Sequence, residues 1–297
     1  MRALLIVNPN ATSTTPATRD LLAHALESRV RLWVAQTKHR GHAAELAQQA
    51  VESGIDLIVV HGGDGTVNET INGILPAPGT APAARLPLIS VLPGGSANVF
   101  ARSLGISPDP LHATNQLLDL IAGGEQRRIG LGHATWAATE DAESSRWFTF
   151  NAGMGMDAQV CEAIDIARAK GKAATPSRYV RTSITTYLRL KGSEPTLTVE
   201  LPGPEHTFER VEGVYYAFVS NSSPWTFMGN HPVHINPGTS FDSDLGVFAM
   251  RSLGTLASLR VTRQILTVGA EPKSRKLVRL DDVPWVRLRA SAPIGLQ

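Results

Sequence analysis

The segment that most constrains the fold is Leu57-Ile58-Val59-Val60-His61-Gly62-Gly63-Asp64-Gly65-Thr66-Val67-Asn68-Glu69. An uninterrupted aliphatic run of this length predicts a strand buried on both faces, as in a parallel sheet. The residues after it place Val67, Ile71, Ile74 and Leu75 at helical spacing, so the chain must pass from strand to helix through glycines around one aspartate. Glycines permit positive φ and close backbone approach, which lets successive N–H groups and the helix N-terminus hold a phosphate. A glycine-rich turn without a ligand is the alternative; Asp64 with polar Thr66, Asn68 and Glu69 beside it favours the ligand.

A second turn of the same construction follows, Leu88-Ile89-Ser90-Val91-Leu92-Pro93-Gly94-Gly95-Ser96-Ala97-Asn98-Val99-Phe100-Ala101-Arg102. Two neighbouring strands ending in such loops form a polar crevice where open α/β sheets bind ligands, here nucleotide phosphates. Around these turns, strands are expected at 3–7, 30–35, 56–60 and 88–92, and helices at 17–25, 42–51, 66–75, 97–104 and 113–121. Residues 76–87, rich in Ala, Pro and Gly, form a surface loop. From residue 129 the pattern turns β-like, with strands expected at 147–150, 196–201, 213–220, 246–250 and 285–288. Helices interrupt it at 158–169 and 179–190. The expected organisation is an α/β nucleotide-binding domain over 1–128 and a β-rich domain over 129–297.

Composition closes off other classes. At 297 residues, 42% hydrophobic and 18% charged, with 26 glycines and 19 prolines, the chain is loop-rich and globular, not disordered or fibrous. A formal charge of +2 excludes nucleic acid as the partner of the whole molecule. One cysteine, Cys161, permits neither an intramolecular disulfide framework nor a cysteine-based zinc site and suits a reducing, cytoplasmic setting. The apolar start is too short for a signal sequence, and no run approaches the ~18 residues of a membrane span, so contact with lipid would be peripheral.

With these motifs in view, Gly62 through Glu69 resembles the signature of the diacylglycerol kinase catalytic domain, shared by bacterial lipid, sphingosine and ceramide kinases and, more remotely, NAD kinases. Ile6-Val7-Asn8-Pro9-Asn10-Ala11, Thr37 with Gly41-His42-Ala43, Gly95 through Arg102, and Phe148 through Ala158 resemble further family segments in order and spacing. The resemblance implies ATP in a crevice between an α/β domain and a C-terminal β-sandwich, with a lipid alcohol as acceptor. Nucleotide contacts carried over are Asn8, Thr37, Gly62, Gly63, Asp64, Gly65, Thr66, Val67, Asn68 and Ser96, with Asp64 catalytic by orienting water on Mg²⁺. Each lone hydroxyl could equally serve as a helix cap. Asp242 and Asp244 stand where the family has a metal-binding Leu-Asp-Asp-Gly segment; a solvated turn is the alternative. Expected partners are the lipid alcohol, a membrane inner face touched peripherally and, as a further option, a second copy in a homodimer.

Three departures accompany the likeness. Val99 replaces an acid, Ser243 falls between Asp242 and Asp244, and the sequence ends at Pro293-Ile294-Gly295-Leu296-Gln297, where the family continues into Asp-Gly-Glu with its presumed general base. The expectation is that this base is not present in the chain, which makes a catalytically impaired nucleotide- or lipid-binding homologue the second reading and an NAD-kinase-like enzyme with a soluble acceptor the third. Gly153-Met154-Gly155-Met156-Asp157-Ala158 mimics a dinucleotide fingerprint but lacks the acid ~20 residues on, and no Walker A or nucleophile-elbow sequence is present. Seven basic residues and no acid between Arg168 and Lys191 suit an anionic membrane or a solvated helix face. Trp225 and Phe227 are expected in the sandwich core rather than at a lipid mouth.

Overall fold

The computed structural model describes residues 1–80, 85–139, 142–169, 176–267, 269, 271–292 and 294–296. Residues 81–84 of the expected loop at 76–87, and Lys170 and Lys172 of the basic run between Arg168 and Lys191, lie outside the described residues. The chain divides into two compact units, Met1–Thr149 and Phe150–Gln297.

In the first unit, β1 (Arg2–Val7), α1 (Pro16–Glu27), β2 (Arg31–Gln36), α2 (His42–Glu52), β3 (Leu57–Gly62), α3 (Asp64–Ile74) and β4 (Leu88–Pro93) alternate as the sequence predicts. The sheet is parallel with order β2-β1-β3-β4. All six residues of β3 are buried, which accounts for its unbroken aliphatic run. Edge strand β2 leaves Trp33 and Val34 exposed. α4 (Val99–Ser103) and α5 (Pro110–Gly123) follow. Leu22 and Leu26 of α1 and Ala113 and Leu117 of α5 pack on Leu5, Val7, Val59 and Leu92 of the sheet. Helices α2 and α3 pack together, and Gly73 permits this because a methyl there would overlap the Ala44 carbonyl. Local chemistry sets the helix starts: Thr15 Oγ1 accepts from the Thr18 amide and Asp109 Oδ1 from those of Leu111 and His112, each cap preceding a proline.

The hairpin of β5 (Gly132–Thr139) and β6 (Ala142–Phe148) closes this unit. Asn72 of α3 accepts from the Trp147 amide and donates to its carbonyl, both at 2.9 Å, and Trp147 Nε1 donates to Pro76 O at 2.9 Å. These bonds place the hairpin with the first unit, so the division falls at Thr149 rather than at the expected 128.

The second unit contains β7 (Asn151–Met154), α6 (Met156–Ala169), α7 (Pro176–Lys191), β8 (Leu197–Pro202), β9 (Phe208–Val214), β10 (Tyr216–Ser220), β11 (Thr226–Met228), β12 (His231–Val233), β13 (Leu245–Met250), α8 (Thr255–Leu266), β14 (Leu277–Val283) and β15 (Arg287–Ala290). Antiparallel sheets β14-β13-β10-β7 and β15-β8-β9 enclose Leu197, Val199, Leu201, Val214, Ala217, Val247, Ala249 and Val283, the layered packing of a β-sandwich. On the other face of the first of these sheets, Phe218, Phe248 and Met250 meet Ile235, Trp225 and Val261 of α8. Trp225 is thus a core-edge residue, as expected. The run expected as one strand at 213–220 is two, with the break at Tyr215 between β9 and β10 and Gly213 at φ +72° inside the end of β9. α8 and β14 were not predicted.

Candidate active site

Because the first sheet is parallel, the C-terminal ends of all four strands lie along one edge, and the sequence-predicted nucleotide residues gather there. The Asn8 amide donates to His61 O, that of Thr37 to Val7 O and that of Gly94 to Gly62 O, each at 2.9 Å, extending the ladder past the strand ends. Asn8 Nδ2 donates to Thr66 Oγ1 at 2.9 Å, joining the end of β1 to the start of α3. Ser96 is exposed on the β4–α4 loop, and the Ser13 amide donates to Gly94 O at 3.0 Å.

The glycines act differently from the expectation. None of Gly62, Gly63, Gly65, Gly94 or Gly95 has positive φ; Gly63 is extended at φ −92°. What they provide is close approach of the two loops. A Cβ on Gly95 would lie 2.7 Å from Gly63 Cα, and one on Gly94 would lie 3.1 Å from Gly62 Cα. Gly65 stands apart, exposed, with nothing within 4 Å of a hypothetical Cβ.

Gly63, the N-cap of α3, offers no side-chain cap. The Thr66 and Val67 amides close on Gly63 O at 2.9 and 3.2 Å, whereas the Gly65 amide finds no acceptor among the described residues. An uncapped helix start with an open glycine amide is a ready anion site. Asn68 Oδ1 on the same turn is buried without a partner among the described residues. Val67 is 1% exposed, so its side chain belongs to the core and only its backbone borders the site.

Asp64 reaches across to the second turn. Its Oδ1 accepts from the Phe100 amide at 3.0 Å, so it caps the neighbouring helix α4 rather than its own. Burial pushes its pKa above the ordinary carboxylate value, against the opposing pull of the amides of Phe100, Val99 and Asn98. Val99, where the family has an acid, is buried at the head of α4.

Two further residues hold the loops. Asn98, left-handed at φ 51°, accepts from the Gly95 amide at 2.9 Å and donates to the Gly95 carbonyl at 2.8 Å. His61, wholly buried, places Nδ1 3.1 Å from Leu92 O and Nε2 3.1 Å from Thr14 Oγ1. A carbonyl can only accept, so Nδ1 carries the proton and Nε2 receives the Thr14 hydroxyl. Burial holds its pKa below the usual histidine value, which keeps the ring neutral. The asparagine's tolerance of left-handed backbone was the one legible signal for Asn98; nothing local marked His61.

In the second unit Asp242 and Asp244 are exposed on a turn tied by Ser240 and Ser243, and the Asp244 amide donates to Asp282 Oδ1 at 2.9 Å. Two hard carboxylates on one exposed turn suit a Mg²⁺ that draws its other ligands from water and phosphate. Among the described residues the one group of three side chains within mutual metal-binding reach is His39, His42 and Glu45. There His42 Nδ1 accepts from the Lys38 amide, which puts the neutral ring's proton on Nε2 and removes that lone pair. Asn151 stands opposite Ser220 in the register of β7 and β10, and Asn151 Oδ1, Ser220 Oγ and Ser222 Oγ are buried without partners among the described residues.

The chain is similar to several known proteins. The family model for the diacylglycerol kinase catalytic domain matches residues 2–134. The chain is 35% identical over 129 residues to a protein of Chromohalobacter salexigens named "Probable lipid kinase YegS-like", covering 43% of this chain and 38% of that one. It is 34% identical over 135 residues to a protein of Bacillus subtilis named "Diacylglycerol kinase", covering 44% and 41%. The matched stretch thus spans about two fifths of these relatives. A crystal structure of a diacylglycerol kinase from Bacillus anthracis shares the fold, with a TM-score of 0.66 at 19% identity over 100% of this chain and 88% of that one. The glycine-built edge of the first unit thus lies within the stretch, residues 2–134, that matches the diacylglycerol kinase catalytic domain.

Proposed function

We propose that the chain is an ATP- and Mg²⁺-dependent lipid kinase that transfers the γ-phosphoryl group to the hydroxyl of diacylglycerol or a related lipid alcohol. The observation that carries the reading is the uncapped start of α3, with the Gly65 amide open on the same turn as the Thr66 hydroxyl, within the stretch that matches the diacylglycerol kinase catalytic domain. In the transfer, the lipid oxygen bonds to the γ-phosphorus as the bond to the bridging β–γ oxygen breaks, ADP leaves and the hydroxyl proton passes to solvent water. Backbone donors of the Gly62–Gly65 turn would stabilise the phosphate charge, and Asn8 would hold Thr66 Oγ1 so that its proton points outward. Asp242 and Asp244 would hold Mg²⁺, which supplies positive charge for a nucleotide substrate. Asp64 acts as a positioning residue that fixes α4 and its loop. The buried oxygens of Asn151, Ser220 and Ser222 are assigned to the polar part of the acceptor. No helix among the described residues is long and apolar enough to cross a membrane; in this reading the lipid is met peripherally, at the inner face.

Radiolabelled ATP, Mg²⁺ and mixed micelles of diacylglycerol test the reading, with label expected in phosphatidic acid. Absence of label from every lipid alcohol offered overturns it. A binding protein without turnover is favoured by one observation, the commitment of Asp64 to the α4 amides beside an apolar Val99. Calorimetry showing ATP affinity without transfer would select that reading.

A further inference from the structure

Helix α8 faces the wrong way for water. Val261 and Ile265 pack inward on Phe218 and Met250, as an amphipathic helix should. The outward positions are Leu256, Leu259, Arg260, Thr262, Arg263 and Leu266, with the three leucines 85%, 65% and 54% exposed. Isolated exposed leucines are ordinary, but three along one stripe of one helix mark a contact surface.

The setting of this stripe is cationic. From Thr255 to Lys276 the chain carries Arg260, Arg263, Lys273, Arg275 and Lys276 and a single acid, Glu271, which is already paired with Lys273 at 2.9 Å and Arg279 at 3.3 Å. An open groove of about 820 Å³ runs between α8 and the following loop, lined by Leu256, Ala257, Arg260, Lys273, Ser274 and Arg275. Its wall is thus leucine on one side and cation on the other. At the start of α8, Lys191 Nζ donates to Thr255 Oγ1 at 2.8 Å and Tyr187 donates to Leu253 O at 2.9 Å, so the end of α7 is fixed against it. Along α7, Ile184 and Leu188, 54% and 61% exposed, share the helical stripe that ends in Lys191. Neither helix contains an acid.

From this combination we infer that α8, with the Lys273–Lys276 loop and the end of α7, is a docking face for an anionic lipid bilayer. Leu256, Leu259 and Leu266 enter the boundary between headgroups and acyl chains, and Arg260, Lys273 and Arg275 receive lipid phosphates in the groove. Apolar residues on a helix face flanked by arginine and lysine are the arrangement of an interfacial helix. The inference goes beyond the kinase reading and does not depend on it, because docking needs neither ATP nor an acceptor.

Cosedimentation of the full chain with phosphatidylcholine vesicles, with and without phosphatidylglycerol, and without nucleotide or diacylglycerol, tests it. The expected result is binding to the anionic vesicles only, weakened by salt. Leu256→Ser/Leu259→Ser should reduce that binding at least about tenfold, and Arg260→Gln/Arg275→Gln about 25-fold, at roughly fivefold per cation. Leu120→Ser, on α5 of the first unit, should leave it unchanged. Equal binding by the leucine pair and wild type, equal binding to neutral vesicles, or no binding to either overturns the inference. Sedimentation velocity supplies the competing outcome: a wild-type dimer that the leucine pair dissociates would assign the face to a second copy of the chain and overturn it as well. Phosphorylation assays on the same variants in detergent micelles report on the kinase reading separately.

Discussion

The β3–α3 and β4–α4 turns share one pattern of strand, glycines, hydroxyl and helix, yet they end in opposite states. The β4–α4 turn is closed on itself: Asn98 takes both the N–H and C=O of Gly95, and the amides heading α4 are met by Asp64. The β3–α3 turn is left open, because its one carboxylate has been lent to the neighbour and the Gly65 amide at the start of its own helix has no acceptor among the described residues. Similar local sequence therefore yields a support and a receptor, and long-range hydrogen bonds decide which is which.

Substituting the glycines breaks this comparison most severely. Gly95→Ala drives a methyl to 2.7 Å from Gly63 Cα, backbone against backbone, and should cost about 2–3 kcal/mol in urea unfolding. Gly65→Ala meets open space and should leave stability within about 0.5 kcal/mol of wild type. It should nevertheless weaken ATP binding about tenfold by calorimetry, since the methyl stands where phosphate must approach the amide. Equal stability losses from the two would show that the turns are not specialised.

Asn98→Ala removes both bonds to Gly95 and leaves an alanine in left-handed backbone, with an expected loss of about 2 kcal/mol. Asn98→Gly should recover the conformational part only. Uncapping α4 by Asp64→Ala should cost about 1 kcal/mol, and Asp64→Asn, whose oxygen can still accept from the Phe100 amide, should restore most of it. If Asp64 positions the loop, Asp64→Asn also retains most of kcat; a drop as large as that of the alanine variant would return Asp64 to direct chemistry.

The smallest effect is set by pH. His61 has its pKa lowered in the fold from 6.5, so as pH falls below 6.5 the unfolded state takes up the proton first and stability declines. The decline is at most about 1.4 kcal/mol per pH unit and levels off below the folded pKa. Stability measured between pH 7.5 and 5 in wild type and His61→Gln should show the shallower slope in the variant; identical slopes would mean that His61 titrates alike in the folded and unfolded states.

The strands of the first sheet were legible to within a residue or two because burial on both faces leaves an unbroken aliphatic run, as in Leu57–Gly62. Helix α8 was not, since Gly254 gives no capping signal and its outward leucines blur the apolar periodicity. β14 was hidden by Arg279 and Asp281, which alternate with apolar residues on a sheet edge. At the site, residue types and spacing located the glycine turns, and the family resemblance, not the spacing, pointed to Asn8. They did not show the bond from Asp64 to Phe100, 36 positions away, or that glycine spacing records a contact between loops rather than positive φ. Such facts belong to pairs of segments and leave no mark in either one alone.

The Gly63–Gly95 contact has a consequence for how a sequence of this kind can drift. A methyl on Gly95 collides with Gly63 at 2.7 Å and one on Gly63 crowds Gly95 at 3.3 Å, so the two positions act as one heritable locus split across 32 residues of chain. A change at either must first be tolerated with the other still in place, and the backbone contact penalises that intermediate, most of all at Gly95. Random mutagenesis should therefore recover functional double replacements here less often than the product of the single-site rates.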